Sequence, residues 1–370
     1  MTAPDRLSVA HVLWSGKVGG IERLVCDLAG EQVRQGLGVT VAFGRGEGPF
    51  VEMTANRGAQ VVDLDLASGY DLRPSPIAHG AGVLRRVDVI HLHAFNLPLA
   101  CITLLARTPV VYTEHGNFGV GTRVPRQVEI KQLLQRLYLR SRVRQIAAYS
   151  SPAASRMADL YKLDRSRITV VENGVVLTDD ILAATRSPMR DDHLVVAFVG
   201  RFADSKRIDR LLDALARARS RHRIDVLLVG GGPLEDELRA RAMRLELQTQ
   251  VRFLGYRDDV GALLRGTDVF VQPGQGEQFG LAALEACAQG AVPILFDDGL
   301  GGPTSVPPDG AVVRSVGELA DTLDAMVGAH VLSDEARQRR AAWVREKFSI
   351  SKTYQQYFDL YCSAVLRAPR

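Results

Sequence analysis

Short apolar runs separated by segments of helical period recur along almost the whole chain, in two successive series. The first series reads Leu7–Trp14, Val39–Phe43, Gln60–Leu66, Val87–His93, Pro109–Thr113, Gln145–Tyr149 and Ile168–Val171. Between the runs lie stretches such as Ile21–Gln35, where Ile21, Leu24, Val25, Leu28 and Val33 fall on one helical face. The pattern then restarts with Leu194–Gly200, Asp225–Val229, Val251–Leu254, Asp268–Gln272 and Ala291–Phe296. Nearly continuous apolar strands alternating with helices predict parallel sheets covered on both faces. Two such series predict an α/β chain of two Rossmann-like domains. The first spans 1–180 and the second 190–348, joined through Thr178–His193, with a terminal helix over 349–370. From Ser333 onward the chain reads as helix without further strand signal.

Composition narrows the class. The 370 residues are 46% apolar and 24% charged, which excludes a disordered or collagen-like chain. The longest apolar run, Leu97–Ala106, is about half of the ~20 residues that span a bilayer. The first run lacks a small-residue cleavage site behind it and reads as a strand, so a soluble, cytoplasmic protein is expected. Cys26, Cys101, Cys287 and Cys362 lie far apart, which fits reduced core thiols and speaks against a zinc site. Residues 1–190 carry 23 basic and 17 acidic side chains (+6), and residues 191–370 carry 23 and 25 (−2). Seven basic residues against Glu129 lie between Arg123 and Arg144. There Leu133, Leu134, Leu137 and Leu139 add apolar surface, as in a helix resting on anionic lipid or simply solvated.

Open parallel sheets bind ligands beyond the carboxyl ends of their strands, so the strand exits are the places to look for polar groups. The first exit, Ser15-Gly16-Lys17-Val18-Gly19-Gly20-Ile21-Glu22, runs straight into a helix, as an anion-binding turn or an ordinary one would. The fifth places His115 before Gly116, either to meet a ligand hydroxyl or as a satisfied structural histidine. In the second series Gly200-Arg201 with Lys206 offers a planar guanidinium and a point charge, a pair suited to a diphosphate. Gly230-Gly231-Gly232-Pro233 is another strand–glycine–helix junction. In Gln272–Ala286, Glu277 lies in a loop and Glu285 in a helix otherwise small or apolar, where a buried carboxylate needs donors from a ligand or an arginine.

Together these residues resemble the retaining, nucleotide-sugar-dependent glycosyltransferases of the GT-B fold, family 4 (glycosyl transferases group 1). The resemblance covers nearly the whole chain. Glu277 to Glu285 (Glu-x7-Glu) and Gly200-Arg201 with Lys206 carry most of it. Gly19-Gly20-Ile21-Glu22, Glu172-Asn173-Gly174-Val175, Gly230-Gly231-Gly232-Pro233 and the tyrosines Tyr354, Tyr357 and Tyr361 of the last helix support it. The resemblance implies two parallel sheets facing across a cleft and a catalytic set of His115, Glu277, Lys206 and Arg201. It implies donor binding by Gly19, Gly20, Arg201, Lys206, Gly231, Glu277, Phe279, Gly280, Leu281 and Glu285, no metal ion, and no cofactor beyond a UDP- or GDP-sugar substrate. The implied acceptor is a glycan or lipid-linked hydroxyl in bacterial polysaccharide or glycolipid assembly, and the implied setting is the cytoplasm, peripheral on the inner face of the plasma membrane. Gln278 and Ser305 depart from the family pattern, at positions where glycine and glutamate are usual. Other readings are a metal-dependent transferase using Asp63-Leu64-Asp65, a nucleotide-sugar epimerase using Glu114 and His115, and a nucleic-acid module on Arg123–Arg144; this last stretch has only Tyr138 for stacking.

Overall fold

Parallel pairing governs both halves of the molecule. The computed structural model describes residues 7–115, 126–177, 193–257, 259–274, 280–297, 306–307, 309–329 and 333–366. The chain divides into one unit of residues 1–176 with 350–370 and a second of residues 177–349. The expected join, Thr178–His193, lies outside the described residues except for His193.

The first unit is built on β1 (Ser8–Ser15), β2 (Gly38–Arg45), β3 (Gln60–Asp63), β4 (Val89–Leu92), β5 (Val110–Glu114), β6 (Val143–Ala148) and β7 (Ile168–Val170). They pair in parallel in the order β3-β2-β1-β4-β5-β6-β7. The order reverses between β1 and β4, which are direct neighbours. Side-chain alternation divides the sheet into two faces. Ala10, Val12, Ala42, Ile90, Leu92, Val110, Tyr112 and Ile146 join one core cluster. It is completed from α3 (Pro74–Leu84), α4 (Leu97–Ala106), α5 (Arg126–Ser141) and α6 (Ser151–Tyr161). α4 starts where Asn96 accepts from the Leu99 N–H and ends on Arg107 in the left-handed region.

The other face lies under α1 (Gly20–Arg34) and the last helix, α13 (Ile350–Leu366). It carries an unusual polar layer of fully buried His11, His91 and Thr113, met by Gln32 of α1 and by Tyr357 and Tyr361 of α13. α13 is fastened at its start by the Ile350 N–H donating to the Val175 carbonyl and by the Thr353 hydroxyl donating to that of Glu172.

The second unit contains β8 (Leu194–Val199), β9 (Ile224–Val229), β10 (Val251–Gly255), β11 (Val269–Gln272), β12 (Val292–Phe296) and β13 (Ala311–Val313), in the parallel order β10-β9-β8-β11-β12-β13. The sheet is again reversed, between β8 and β11. One face packs on α7 (Ile208–Arg217), α8 (Glu235–Arg244) and α11 (Val316–Met326). The opposite face packs on α9 (Val260–Arg265) and α10 (Leu281–Ala288), and α12 (Asp334–Phe348) lies against α10. Sequence reading missed β13, because three residues of an edge strand leave too short a run to register. Among the described residues no helix is long and apolar enough to cross a membrane.

The polar layer makes stability depend on pH. Burial pushes His11 down to about 4 and holds His91 and His93 well below the ordinary imidazole range. Unfolded histidines titrate near ~6.5, so between that value and about 4 the unfolded chain binds the extra protons. Stability is therefore complete above ~6.5 and declines as pH falls toward 4, by about 1.4 kcal/mol per pH unit for His11 alone. Urea midpoints at pH 7.5 and pH 5 should differ accordingly, and an unchanged midpoint contradicts the neutral assignment of these rings.

Candidate active site

At the exit of β1, the Gly16 N–H donates to the Glu47 carbonyl and its own carbonyl accepts from the Phe50 N–H, which ties the turn to the start of α2 (Pro49–Asn56). Lys17 pairs with Glu47 at 3.0 Å and remains largely exposed. Gly19 is the extended residue preceding α1, and the exposed Gly20 is its first residue. A Cβ on Gly19 would stand 2.2 Å from a Glu22 carboxylate oxygen. That carboxylate, its pKa raised by burial, thus lies at the helix N-terminus where an incoming anion would bind. The absence of a side chain at Gly19 is what lets it come so close.

His115 follows β5 directly and is half-buried. Its Nε2 lies 2.9 Å from Nδ1 of His93, and burial lowers its pKa to about 4. The ring is therefore neutral near pH 7 and suited to hydrogen bonding rather than to carrying charge. Its neighbour Glu114 points to the opposite side of the sheet. One Glu114 oxygen accepts from the Tyr112 hydroxyl at 2.8 Å, the Gln135 amide at 3.1 Å and the Tyr161 hydroxyl at 3.3 Å. The Glu114–His115 acid/base pair weighed for an epimerase is thus not assembled.

His11, His91 and His93 place ligand-type nitrogens within 4.8 Å of one another, a geometry that could hold a cation. Both nitrogens of each ring already have hydrogen-bond partners, so a cation would have to break that network. The His-x-His at the end of β4, His91 and His93, was the available sequence signal for this cluster, but its alternation read only as strand. Asp63-Leu64-Asp65 is the end of β3 and the residues after it; Leu64 is buried between exposed carboxylates, and Asp65 stands 3.9 Å from Arg73.

In the second unit the exits of β8 and β9 interlock. The Gly200 N–H donates to the Val229 carbonyl, and the Phe202 N–H to the Gly231 carbonyl. Gly230 has φ +121°, and a Cβ there would lie 2.1 Å from the Gly200 carbonyl oxygen. The Tyr256 hydroxyl, from the end of β10, also donates to the Gly231 carbonyl at 3.1 Å, while most of its ring stays exposed. On this platform Arg201 is exposed, and Lys206 closes the short turn Asp204–Lys206 that leads into α7. Arg210, which sequence reading did not single out, donates to the Pro273 carbonyl and lies over the Phe296 ring at 4.3 Å. It therefore joins α7 to the exit of β11.

Gly280 precedes α10, and a Cβ there would come within 1.8 Å of Oε1 of the buried Gln272. Leu281 opens the helix. Glu285 was expected inside a helix buried on every face; it is half-buried instead, because Leu281, Ala282 and Glu285 share the less covered side of α10. Glu277, Phe279, Gln278 and Gly301–Ser305 lie outside the described residues.

The interlock yields a stability test. Gly230→Ala combines positive φ with backbone overlap and should cost on the order of 2 kcal/mol or more. Gly261→Ala, in α9 with nothing within 4 Å of the added carbon, should be neutral or slightly stabilising. Thermal unfolding of the two variants checks the difference.

Comparison with known proteins agrees across both halves. Residues 18–179 match Glycosyltransferase Family 4, and residues 183–327 match Glycosyl transferases group 1. The D-inositol 3-phosphate glycosyltransferase of Mycobacterium sp. (strain KMS) is 29% identical over 92% of this chain and 85% of its own. The GDP-mannose:cellobiosyl-diphosphopolyprenol alpha-mannosyltransferase of Komagataeibacter xylinus is 31% identical over 79% of this chain and 76% of its own. In fold the chain is similar to Anabaena Alr3699/HepE, solved in complex with UDP and glucose (TM-score 0.79, 19% identity, 96% of this chain and 100% of the other). None of these findings supports an epimerase. Matches on both halves and relatives aligned over most of their length show that this chain belongs to the GT-B glycosyltransferases of family 4, the glycosyl transferases group 1.

Proposed function

We propose that this glycosyltransferase moves a hexose-type sugar from a UDP- or GDP-sugar to a hydroxyl of a glycan or lipid-linked acceptor, with retention of configuration and without a metal ion. The observation that carries the reading is the β8–β9 platform, which holds the exposed Arg201 and the Lys206 turn beside the point where strand order reverses. Breaking a sugar–phosphate bond leaves negative charge on the departing diphosphate. Fixed cations and helix N-termini stabilise such a group without rearranging. In this reading Arg201 and Lys206 hold the diphosphate, and Gly20 offers its N–H to the phosphate nearest the sugar. Glu285 binds the ribose, Glu277 and His115 meet the transferred sugar, and Gly231, Phe279, Gly280 and Leu281 give main-chain contacts. The acceptor hydroxyl attacks from the leaving-group side and passes its proton to the departing phosphate. The names of the relatives, which include inositol-phosphate and mannosyl transfer, and a fold neighbour bound to UDP and glucose support this class of donor.

Lys206→Ala and Glu277→Ala should each lower kcat/KM by about 100-fold or more with the fold intact. EDTA should leave wild-type turnover unchanged. Near-normal turnover in both variants would remove the assignment.

A lipid-linked acceptor gains support from α5. Ile130, Leu133, Leu134 and Leu137, at i, i+3, i+4 and i+7, are 60, 53, 43 and 54% exposed, and Lys131, Arg136 and Arg140 accompany them. Leu139, expected in the same apolar surface, is fully buried instead, along with Gln135 and Tyr138, because it falls on the helix face that packs inward. An exposed apolar stripe with cations beside it suits the surface of an anionic bilayer at the cytoplasmic face. The protein should float with phosphatidylglycerol vesicles far more than with phosphatidylcholine vesicles, and Leu133→Asp/Leu137→Asp should abolish the difference. Equal flotation with both lipids would end the membrane reading.

A further inference from the structure

The polar layer of the first unit forms one continuous run of hydrogen bonds, and its direction can be read from the groups that have only one choice. The starting point is Gln32, fully buried on α1. Its amide oxygen lies 2.7 Å from Nε2 of His11, and its amide nitrogen donates to the Tyr361 hydroxyl at 3.3 Å. With the Gln32 amide oxygen toward His11, as placed here, Nε2 of His11 carries the proton and Nδ1 of His11 is bare; turning the amide over would reverse the whole run. That bare nitrogen lies 2.9 Å from Nε2 of His93, which must donate, leaving Nδ1 of His93 as an acceptor. Nδ1 of His93 lies 2.9 Å from Nε2 of His115, which must donate in turn.

The other side of Gln32 runs in the same sense. The Tyr361 hydroxyl, accepting from the amide, gives its proton to Nδ1 of His91 at 2.7 Å. Nε2 of His91 then donates to the Thr113 hydroxyl at 2.7 Å, and Thr113 donates to the Tyr357 hydroxyl at 3.2 Å. Donation therefore passes from His115 through His93, His11, Gln32, Tyr361, His91 and Thr113 to Tyr357 without a reversal. His11, Gln32, His91, Thr113, Tyr357 and Tyr361 are fully buried, and His93 is 4% exposed. Along the imidazole limb, from His115 to Gln32, reversing one bond alone would set two donors or two acceptors against each other in a buried region; the hydroxyls of Tyr361, Thr113 and Tyr357 can both donate and accept.

We infer that Gln32, through His11 and His93, fixes the proton of His115 on Nε2, so that His115 presents a bare Nδ1 to its ligand. A bare imidazole nitrogen accepts from an O–H or N–H and repels a phosphate or carbonyl oxygen. His115 therefore selects a hydroxyl-bearing ligand group over an anionic one, and Gln32, His11 and His93 act as positioning residues. The choice of ligand group rests on the proposed meeting of His115 with the transferred sugar; the proton pattern does not.

The test is nuclear magnetic resonance of the free, full-length protein carrying ¹⁵N-histidine, with His115→Gln used only to assign the His115 signals. Nε2 should be the protonated nitrogen in His11, His91, His93 and His115. Couplings across hydrogen bonds should link Nε2 of His115 to Nδ1 of His93, and Nε2 of His93 to Nδ1 of His11. In Gln32→Met the Nδ1–H form of His115 should become populated and the ring protons should exchange with solvent faster. A wild-type proton on Nδ1 of His115 or missing couplings would each overturn the inference. So would a folded Gln32→Met protein with unchanged His115 signals. No sugar or nucleotide enters this experiment, so its failure leaves the transfer reading standing, and absence of transfer by a protein with the expected signals sinks only that reading.

Discussion

A parallel sheet exposes neither face to water, so everything in the first unit depends on how its two faces are covered. One face follows the simple rule, with Ala10, Val12, Ile90, Leu92 and Tyr112 buried against α3 to α6. The other is closed by α1 and by a helix from the far end of the chain, and there the strands contribute imidazoles. Such a face is stable only if each ring finds both a donor and an acceptor partner. Gln32 and the two phenols of α13 meet that demand. Burial raises Tyr361 well above the ordinary phenol range and moves Tyr357 up to about 12, so both remain neutral hydroxyls. The last helix thus completes the core of the first unit.

The second unit places its polar chemistry differently. Its sheet packs apolar side chains on both faces, and the cations Arg201 and Lys206 lie beyond the end of β8. Gly200, Gly230 and Gly231 let adjacent strand exits approach to direct backbone hydrogen bonds, and Tyr256 adds a third link. Rigidity at that spot means that Arg201 and Lys206 leave from a fixed base. Under the proposed reaction, a charge already in position would stabilise a leaving diphosphate without a reorganisation cost.

Much of this was legible in the sequence because it rests on local periodicity. All seven strands of the first series and the five expected in the second are present, since an apolar run bounded by helical segments has one good solution in a two-faced sheet. Where the reading failed, the missing information was in distant residues. Leu139 was grouped with Leu133 and Leu137, but helix phase places it with Gln135 and Tyr138 on the buried side. Glu285 was expected to be buried because its neighbours are small or apolar, yet part of α10 is left less covered. Glu114 and His115, adjacent in sequence, part to opposite faces because β5 alternates through them. His11, His91 and His93 entered the reading only as part of the runs Leu7–Trp14 and Val87–His93.

By itself the sequence determined the two-series α/β architecture, the places where strands end in glycine and cations, and the family, because each of these is carried by spacing along the chain. Only the tertiary structure decided which polar groups meet. Gln32 lies on α1, His91 and Thr113 on β4 and β5, and Tyr361 on the last helix. Their hydrogen bonds exist because the sheet order sets β1, β4 and β5 side by side beneath α1 and α13. Periodicity specifies what a residue points toward, core or solvent. The partner it finds there is set by packing between elements remote in sequence.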